Sequence, residues 1–248
     1  WWKVAGSSPG VDKAVEKVDK WPMTDFLAEF RPKMRRAVGI FAKQPLPGQV
    51  KTRLCPPLNA AEAAALYRVS LEETVQRLTA GPWTPVLFFA GEASYFQQHF
   101  PGQILCPQAE GDLGARLERA LQTLLQAGCR SALLVGSDSP DLPLALLDEA
   151  FAALEAADAV VSPAADGGYV LIGASRHHPE LFRQIPWSSD QVLGLTRQRA
   201  LAAGIRLQEL AGWEDVDDLD SLRALLRRSP DSATACHARQ CLGADLSV

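Results

Sequence analysis

The stretch of sequence that decides the fold is SALLVGSDSPDLP, residues 131–143. Its first five residues are mostly apolar and have the length of a buried strand. An acidic turn with Asp138 and Asp141 follows. Ligands bind in open α/β sheets at the carboxyl ends of strands, and hard cations share oxygen ligands with substrate phosphates. The segment therefore predicts a metal site at a sheet edge, in an enzyme that handles a nucleotide diphosphate or triphosphate.

Strand-like and helix-like segments alternate along the rest of the chain. Apolar runs predict strands at 37–42, 86–90, 104–106, 131–135, 159–161, 169–172 and 205–210. Helical spacing of apolar residues predicts helices at about 60–78, 92–100, 113–127, 144–156, 191–203 and 219–226. Such alternation is typical of crossover units. We therefore predict an α/β fold, a single domain with a mostly parallel mixed sheet flanked by helices. The Asp166-Gly167-Gly168 turn would introduce an antiparallel strand.

The two ends of the sequence differ from its centre. Residues 1–33 are polar and mixed in charge, and Met34 stands just before the first predicted strand. We interpret 1–33 as a non-core extension, with Met34 as the natural start. The domain is then expected at 34–228. The segment 229–248 is predicted to be a loosely ordered C-terminal tail.

Composition excludes several classes of function. The chain of 248 residues is 47% hydrophobic and has a net charge of −4 without a basic stripe, which argues against a nucleic-acid partner. No apolar run is long enough for membrane insertion. Five scattered cysteines form no metal or disulfide pattern, which favours reduced thiols in a cytoplasmic protein.

A basic loop, residues 43–54, follows the first predicted strand. Lys43, Lys51 and Arg53 place three cations in this loop, and Gly48 would let the backbone approach a ligand closely. We therefore predict that these four residues bind nucleotide phosphates. The alternative is an ordinary solvated basic loop.

Two aspartates follow the strand at 131–135, and the sequence assigns them different roles. Asp138 is the first carboxylate after the strand and is the predicted metal ligand and catalytic residue. Asp141 could instead cap the helix that begins near Pro143.

Two further acidic turns are candidates for the site. Asp166 is a candidate catalytic residue and Gly167 and Gly168 are candidate substrate contacts, although Asp-Gly is also the strongest short hairpin signal. In the segment 215–220, Asp217 is a candidate second metal ligand. The alternative is that Asp217 or Asp218 caps the last predicted helix.

Other polar residues are better explained by structure. Asn59 can cap the helix at 60–78, and Asp112 is a natural cap for the helix at 113–127. Arg116, one turn after Asp112, is more simply structural than phosphate-binding. Ser189 or Asp190 is expected to cap the helix at 191–203, with Trp187 as core or pocket wall.

Six motifs in this order resemble the GT-A-like nucleotide-diphospho-sugar transferase superfamily. More closely, the chain resembles a bacterial family of glycosyltransferase-like proteins, some of them assigned to arsenosugar biosynthesis. The resemblance covers about residues 36–226 and rests on KQPLPGQVKTRL (43–54), GDLGARL (111–117), GSDSPDLP (136–143), DGGYVLIG (166–173), WSS (187–189) and DVDDLDSL (215–222).

The resemblance implies a Rossmann-like sandwich with the sugar nucleotide over the strand ends. It places the 43–54 loop at the nucleotide phosphates, Asp138 at the divalent metal and Asp166-Gly167-Gly168 beside the donor sugar or the acceptor. In the family the last motif usually runs Asp-Val-Asp-Thr-Pro. Here Asp218 and Leu219 replace Thr-Pro, which implies a weaker helix cap and leaves the role of Asp217 open.

Three functions are consistent with these residues. The first is glycosyl transfer from a nucleotide sugar to a small-molecule acceptor, with Mg²⁺ or Mn²⁺ as cofactor. The second is nucleotidyl transfer from a nucleoside triphosphate with release of pyrophosphate, as in related guanylyltransferases. The third is non-catalytic nucleotide binding, which the joint presence of Asp138 and the basic loop disfavours.

Overall fold

The computed structural model of the chain describes residues 35–243, so the expectations for 1–33 and for Met34 lie outside the described residues. A sheet of seven strands forms its centre. The strands are β1 (Arg36–Lys43), β2 (Thr84–Ala90), β3 (Ile104–Pro107), β4 (Ser131–Gly136), β5 (Ala159–Pro163), β6 (Tyr169–Ala174) and β7 (Leu207–Glu209).

The strand order is β3-β2-β1-β4-β6-β5-β7, and β6 is the one strand of this sheet that runs against its neighbours. The β5–β6 hairpin turns at residues 164–168. The predicted α/β class, the mostly parallel mixed sheet and the antiparallel strand after the Asp-Gly turn are confirmed.

Seven α-helices surround this sheet in the described residues. They are α1 (Ala60–Thr79), α2 (Ala93–His99), α3 (Leu113–Gln126), α4 (Leu144–Ala153), α5 (Val192–Ala203), α6 (Leu219–Arg228) and α7 (Ala233–Leu242). Helices α3 and α5 share one apolar cluster with the sheet, and α1, α2 and α4 share the cluster on its other face. Because successive strand side chains point to opposite faces, both faces of each central strand are apolar.

The first residues of the helices show which of the predicted side-chain caps are present. Asn59 forms a capping box with Glu62, and Asp112 caps α3 through the Ala115 amide, so both predictions are confirmed. Asp218 caps α6 in a capping box with Ser221, so the expected weakening of this cap is wrong. Helix α5 has no side-chain cap, so the expectation for residues 189 and 190 is wrong as well.

Helix α7 corrects the expectation of a loosely ordered tail after residue 228. Ala235, Ala238 and Leu242 lie in an apolar cluster with residues of α1 and α6. The carboxylate of Glu73 on α1 accepts hydrogen bonds from the Thr234 amide at 2.9 Å and the Thr234 hydroxyl at 2.6 Å. Small residues made the segment look polar and unstructured, but their spacing places one apolar face on α1.

The fold brings the loops that carry the predicted site residues to one edge of the sheet. The carboxyl ends of the parallel strands lie on the same side of the sheet, because these strands share a direction. The loops after β1, β4 and β7 therefore emerge at this edge, and the β5–β6 turn lies there too. This arrangement is what assembles segments that are far apart in the sequence.

Two of the six motifs that carry the family resemblance, GDLGARL (111–117) and WSS (187–189), meet where Trp187 packs on helix α3. A Cβ atom added to Gly114 would lie 2.2 Å from the Trp187 indole nitrogen. Trp187 also contacts the rings of Tyr169 and Phe182 in the core. Residue 114 therefore has to be glycine for the indole to lie this close to the helix.

We expect Gly114→Ala to lower the free energy of unfolding by about 1–3 kcal/mol, since the added methyl overpacks the contact with Trp187. Urea denaturation followed by circular dichroism measures this change. The matched control is Gly194→Ala in α5, where an added Cβ meets no atom within 4 Å. That variant should be as stable as the parent or up to about 1 kcal/mol more stable. Equal effects in the two variants would contradict the packing explanation.

Candidate active site

The centre of the site is an ion pair between Lys51 of the basic loop and Asp138 of the acidic turn. Both side chains are withdrawn from solvent, with exposed fractions of 5% for Lys51 and 1% for Asp138. Two buried opposite charges are stable only when each is well compensated. The structure thus joins the two motifs that the sequence singled out, 87 residues apart, in one contact (138 − 51).

Asp217 completes this centre on the other side of the lysine. Its Oδ1 atom lies 3.2 Å from Lys51 Nζ, and the carbonyl oxygen of Val216 accepts a further hydrogen bond from the same ammonium. Because Asp218 forms the helix cap, Asp217 is left to face the lysine. One ammonium therefore lies between two carboxylates.

Two hydrogen bonds to main-chain carbonyl oxygens fix the two acidic segments to each other. The Val216 amide donates to the Asp138 carbonyl oxygen at 2.9 Å, and the Ser139 hydroxyl donates to the Glu214 carbonyl oxygen at 3.3 Å. The relative position of the two carboxylates is therefore set by the main chain, before any ligand binds.

Lys51 is held in an uncommon backbone conformation, with φ of 50°. Such left-handed geometry is infrequent for residues other than glycine and often occurs at functional positions. Burial alone would lower the pKa of Lys51, but the charges of Asp138 and Asp217 outweigh it and raise the pKa above its ordinary value. The lysine therefore carries its charge throughout the physiological pH range.

Helix α1 supplies a platform that the sequence reasoning missed. The Tyr67 hydroxyl accepts from the Lys43 amide at 2.9 Å and shares a 2.8 Å hydrogen bond with the Ser137 hydroxyl. Its ring lies below Lys51, with the ammonium 5.9 Å from the ring centroid. Ser70 also donates to the Ser137 carbonyl oxygen. Polar residues at spacings of three on an otherwise apolar helix face, Tyr67 and Ser70, were the available signal.

We expect Tyr67→Phe to lower the free energy of unfolding by about 1–3 kcal/mol, because the Lys43 amide and the Ser137 hydroxyl lose a buried partner. Thermal and urea denaturation check this effect. Tyr95→Phe is the matched control, since the buried Tyr95 hydroxyl has no hydrogen-bond partner among the described residues. That variant should be neutral or slightly stabilised, and a loss equal to that of Tyr67→Phe would contradict the role assigned to the Tyr67 hydroxyl.

Asp141 neither caps a helix nor faces Lys51. Its carboxylate accepts two hydrogen bonds from Arg228, at 2.6 and 3.1 Å, and one from the Ser229 hydroxyl at 2.9 Å. Helix α4 begins after Pro143 without a side-chain cap, so the predicted capping role is wrong. The reason is tertiary, because α6 brings a guanidinium to the turn from the far end of the sequence.

The other predicted residues of the basic loop, Lys43, Gly48 and Arg53, have different surroundings. Burial lowers the pKa of Lys43, and the nearby charge of Asp138 partly offsets this effect, which places Lys43 beside the centre. Gly48 is exposed with φ of 76°, in a conformation that favours glycine. Arg53 is exposed and lies 3.9 Å from Asp218. Ligand contact by these three residues stays a prediction.

The Asp166-Gly167-Gly168 turn lies at the same sheet edge and is attached to the segment before α5. Asp166 accepts a hydrogen bond from the Gly168 amide at 3.0 Å. A Cβ atom on Gly167 would lie 2.1 Å from the Asp190 carbonyl oxygen. Gly167 therefore has a packing role in this structure, and ligand contact by this turn stays a prediction.

Asp138 and Asp217 are the carboxylates that could hold a divalent cation. In residues 35–243, no group of three or more histidine, cysteine or acidic side chains is arranged to hold a metal. Mg²⁺, however, is commonly bound by one or two carboxylates, with substrate phosphates and water as the other ligands. The buried Asp138 Oδ2 atom has no hydrogen-bond partner among these residues. The donor set therefore fits a cation that arrives with a phosphate ligand.

A cleft of about 840 Å³ lies elsewhere, between α3, α5 and the segment 180–184. Glu118, Arg183 and Arg199 line it, and none of the predicted site residues does. Buried charge and strand-end position, rather than cavity volume, therefore define the candidate site. No helix in the described part of the chain is both long and apolar enough to span a bilayer.

A seven-stranded, mostly parallel mixed sheet flanked by helices matches the nucleotide-sugar transferase-like class of α/β folds. Residues 74–189 match the family described as "Uncharacterized protein conserved in bacteria (DUF2064)". Comparison with curated proteins gives no match.

Solved structures extend the match to most of the chain. A protein from Desulfovibrio desulfuricans G20, provisionally described as a nucleotide-diphospho-sugar transferase, is 32% identical, with 83% of this chain and 94% of that chain covered and a TM-score of 0.78. The chain therefore belongs to the same bacterial family as this Desulfovibrio desulfuricans protein, within the GT-A-like nucleotide-diphospho-sugar transferase superfamily. A cytidylyltransferase from Leptospira borgpetersenii shares the fold at 11% identity and a TM-score of 0.51, over 83% of this chain and 93% of that chain.

Proposed function

We propose that the protein is a metal-dependent glycosyltransferase that uses a nucleotide-sugar donor. The observation that carries this proposal is the buried Lys51 ammonium between Asp138 and Asp217, at the edge of the sheet where the basic loop emerges. The fold class and the relative from Desulfovibrio desulfuricans support a transferase that acts on nucleotide-activated substrates.

In the proposed reaction, the bond between the anomeric carbon of the sugar and the diphosphate oxygen breaks. A hydroxyl of the small-molecule acceptor loses its proton and bonds to that carbon, and the nucleoside diphosphate leaves with the electron pair. Lys43, Lys51 and Arg53 would bind the diphosphate and offset the negative charge that builds on it. Gly48 would let the loop backbone approach the phosphates.

The two acidic segments would act together on the donor. Asp138 and Asp217 would hold Mg²⁺ or Mn²⁺, which supplies Lewis-acid stabilisation of the leaving diphosphate. Asp166, with Gly167 and Gly168, would lie beside the donor sugar or the acceptor, and Asp166 is the proposed base for the acceptor hydroxyl. The hydrogen bond from the Val216 amide to the Asp138 carbonyl oxygen ties together the two segments that carry these carboxylates.

Nucleotidyl transfer is the second candidate, because a cytidylyltransferase has the same fold. There an acceptor phosphate oxygen would attack the α-phosphorus of a nucleoside triphosphate, and pyrophosphate would leave. The same three cations would stabilise this transition state.

A screen and a product analysis test the proposal. Nucleotides and sugar nucleotides are first screened by thermal shift with Mn²⁺, since a ligand that binds the folded state raises the melting temperature. The strongest ligand is then incubated with candidate acceptors. Release of nucleoside diphosphate from a sugar nucleotide supports glycosyl transfer. Pyrophosphate from a triphosphate supports the second candidate, and binding without either product would contradict both.

A further inference from the structure

We propose that Lys51 is an internal counter-ion which a divalent cation has to displace before it can bind Asp138 and Asp217. The inference rests on the function proposed above and adds a step to it. In this view the protein without ligands carries its own cation at the metal position, and metal binding requires Lys51 to leave.

The contacts of Lys51 are the basis of this inference. Its ammonium has three N–H donors, and it contacts Asp138 Oδ1, Asp217 Oδ1 and the Val216 carbonyl oxygen. A divalent cation that used the same two carboxylate oxygens would lie in contact with the ammonium. Like charges at such a distance repel strongly in a buried environment. The lysine and the metal therefore exclude each other.

The free oxygen of Asp138 is an independent reason to expect an exchange. Asp138 is 1% exposed, and its Oδ2 atom is buried without a hydrogen-bond partner among the described residues. A buried acceptor without a partner is costly. A lysine that contacts Oδ1 leaves this cost in place, whereas a metal ion can take both oxygens of a carboxylate. The site thus contains a ligand atom that the lysine does not use.

The position of Lys51 in the chain gives the ammonium an alternative partner. The preceding residues 46–49 are exposed, so the loop has room to change conformation. When a metal ion takes the carboxylates, the displaced ammonium stays within the basic loop for which we propose phosphate binding. One lysine would then exchange carboxylates for phosphates as the metal–nucleotide complex arrives.

Binding of Mn²⁺ alone to the full chain, without nucleotide or turnover, tests this proposal. If the carboxylates are free of Lys51 for less than about a tenth of the time, Lys51→Met should tighten the Mn²⁺ dissociation constant at least about tenfold. Electron paramagnetic resonance of free Mn²⁺ gives this constant. The matched control is Arg53→Met, which removes the same charge from the same loop at a residue that pairs with Asp218.

Lys51→Met leaves the buried Asp138 carboxylate and the partly exposed Asp217 carboxylate without the lysine ammonium and could fail to fold, so a second measurement uses the unaltered protein. Acetic anhydride labels accessible lysine amines, and mass spectrometry gives the rate at each lysine. We expect slow labelling of Lys51 without metal and a severalfold faster rate at saturating Mn²⁺, with Mg²⁺ acting in the same direction. An unchanged or slower rate at saturating Mn²⁺ would overturn the proposal.

The outcomes separate this inference from the proposed function. Equal Mn²⁺ affinity in the parent and Lys51→Met, or an equal gain in Arg53→Met, overturns the exchange but leaves metal-dependent transfer standing. Absence of Mn²⁺ binding in both proteins, together with sugar transfer that proceeds in a chelator, overturns the exchange and the metal requirement. Nucleotide-sugar turnover would still support the transferase in that case.

Discussion

If the proposed function holds, Asp138→Asn is expected to reduce turnover of the sugar nucleotide on the order of a thousandfold or more, because it removes the carboxylate charge on which the proposed metal site depends. The fold should survive, since asparagine has nearly the same shape and Lys51 keeps Asp217 and the Val216 carbonyl oxygen as partners. Initial rates with Mn²⁺ and the donor found in the screen measure the loss, and circular dichroism checks the fold.

The control for this variant is Asp148→Asn, which removes one carboxylate charge from an exposed position on α4. Its rate should equal that of the parent within a factor of about two, since exposed charges away from a site contribute little. Full activity in a folded Asp138→Asn variant would remove Asp138 from the mechanism.

Arg228→Met should destabilise the protein by about 3–5 kcal/mol at neutral pH, because it leaves the buried Asp141 carboxylate without its cation. Asp141 is 1% exposed and depends on Arg228 for two of its hydrogen bonds. The control is Arg223→Met on the same helix, whose partner Asp220 is 92% exposed. Exposed pairs contribute at most about 1 kcal/mol, so urea denaturation should separate the two variants clearly.

The pH dependence of this effect has a definite sign. Burial alone would raise the pKa of Asp141, but the hydrogen bonds and charge of Arg228 outweigh it and lower the pKa. The stabilisation is therefore present above the ordinary aspartate pKa of about 3.9 and is lost as the pH falls through the lowered folded value. Without Arg228 the buried carboxylate takes up a proton more readily. The stability difference between parent and variant should shrink below about pH 4, and a constant difference would contradict the ion-pair explanation.

Local patterns were enough to predict the strands of the sheet, but not their order. Apolar runs located all seven strands, and Asn59 and Asp112 marked helix starts because capping depends only on neighbouring residues. Helix α7 was missed, because its small residues become apolar surface only once α1 lies against them. Strand β7 is shorter than predicted, Leu207–Glu209, since only these residues pair with β5.

The site was predictable in its parts but not in its pairing. Strand-end position identified Asp138, and loop charge identified Lys51. That these two meet depends on β1 and β4 being neighbours, which no local pattern states. The partner of Asp141 was equally hidden, because Arg228 comes from α6, 87 residues later (228 − 141).

Helix α1 contacts both the candidate active site and the C-terminal helix α7, and so couples their positions. Tyr67 and Ser70 hold the strand ends of the site, and Glu73, one turn further along, holds the start of α7. A substitution that shifts or rotates α1 therefore disturbs both the reactive edge and the C-terminal helix. In a saturation-mutagenesis library, α1 should tolerate fewer exchanges than α5, even at polar positions.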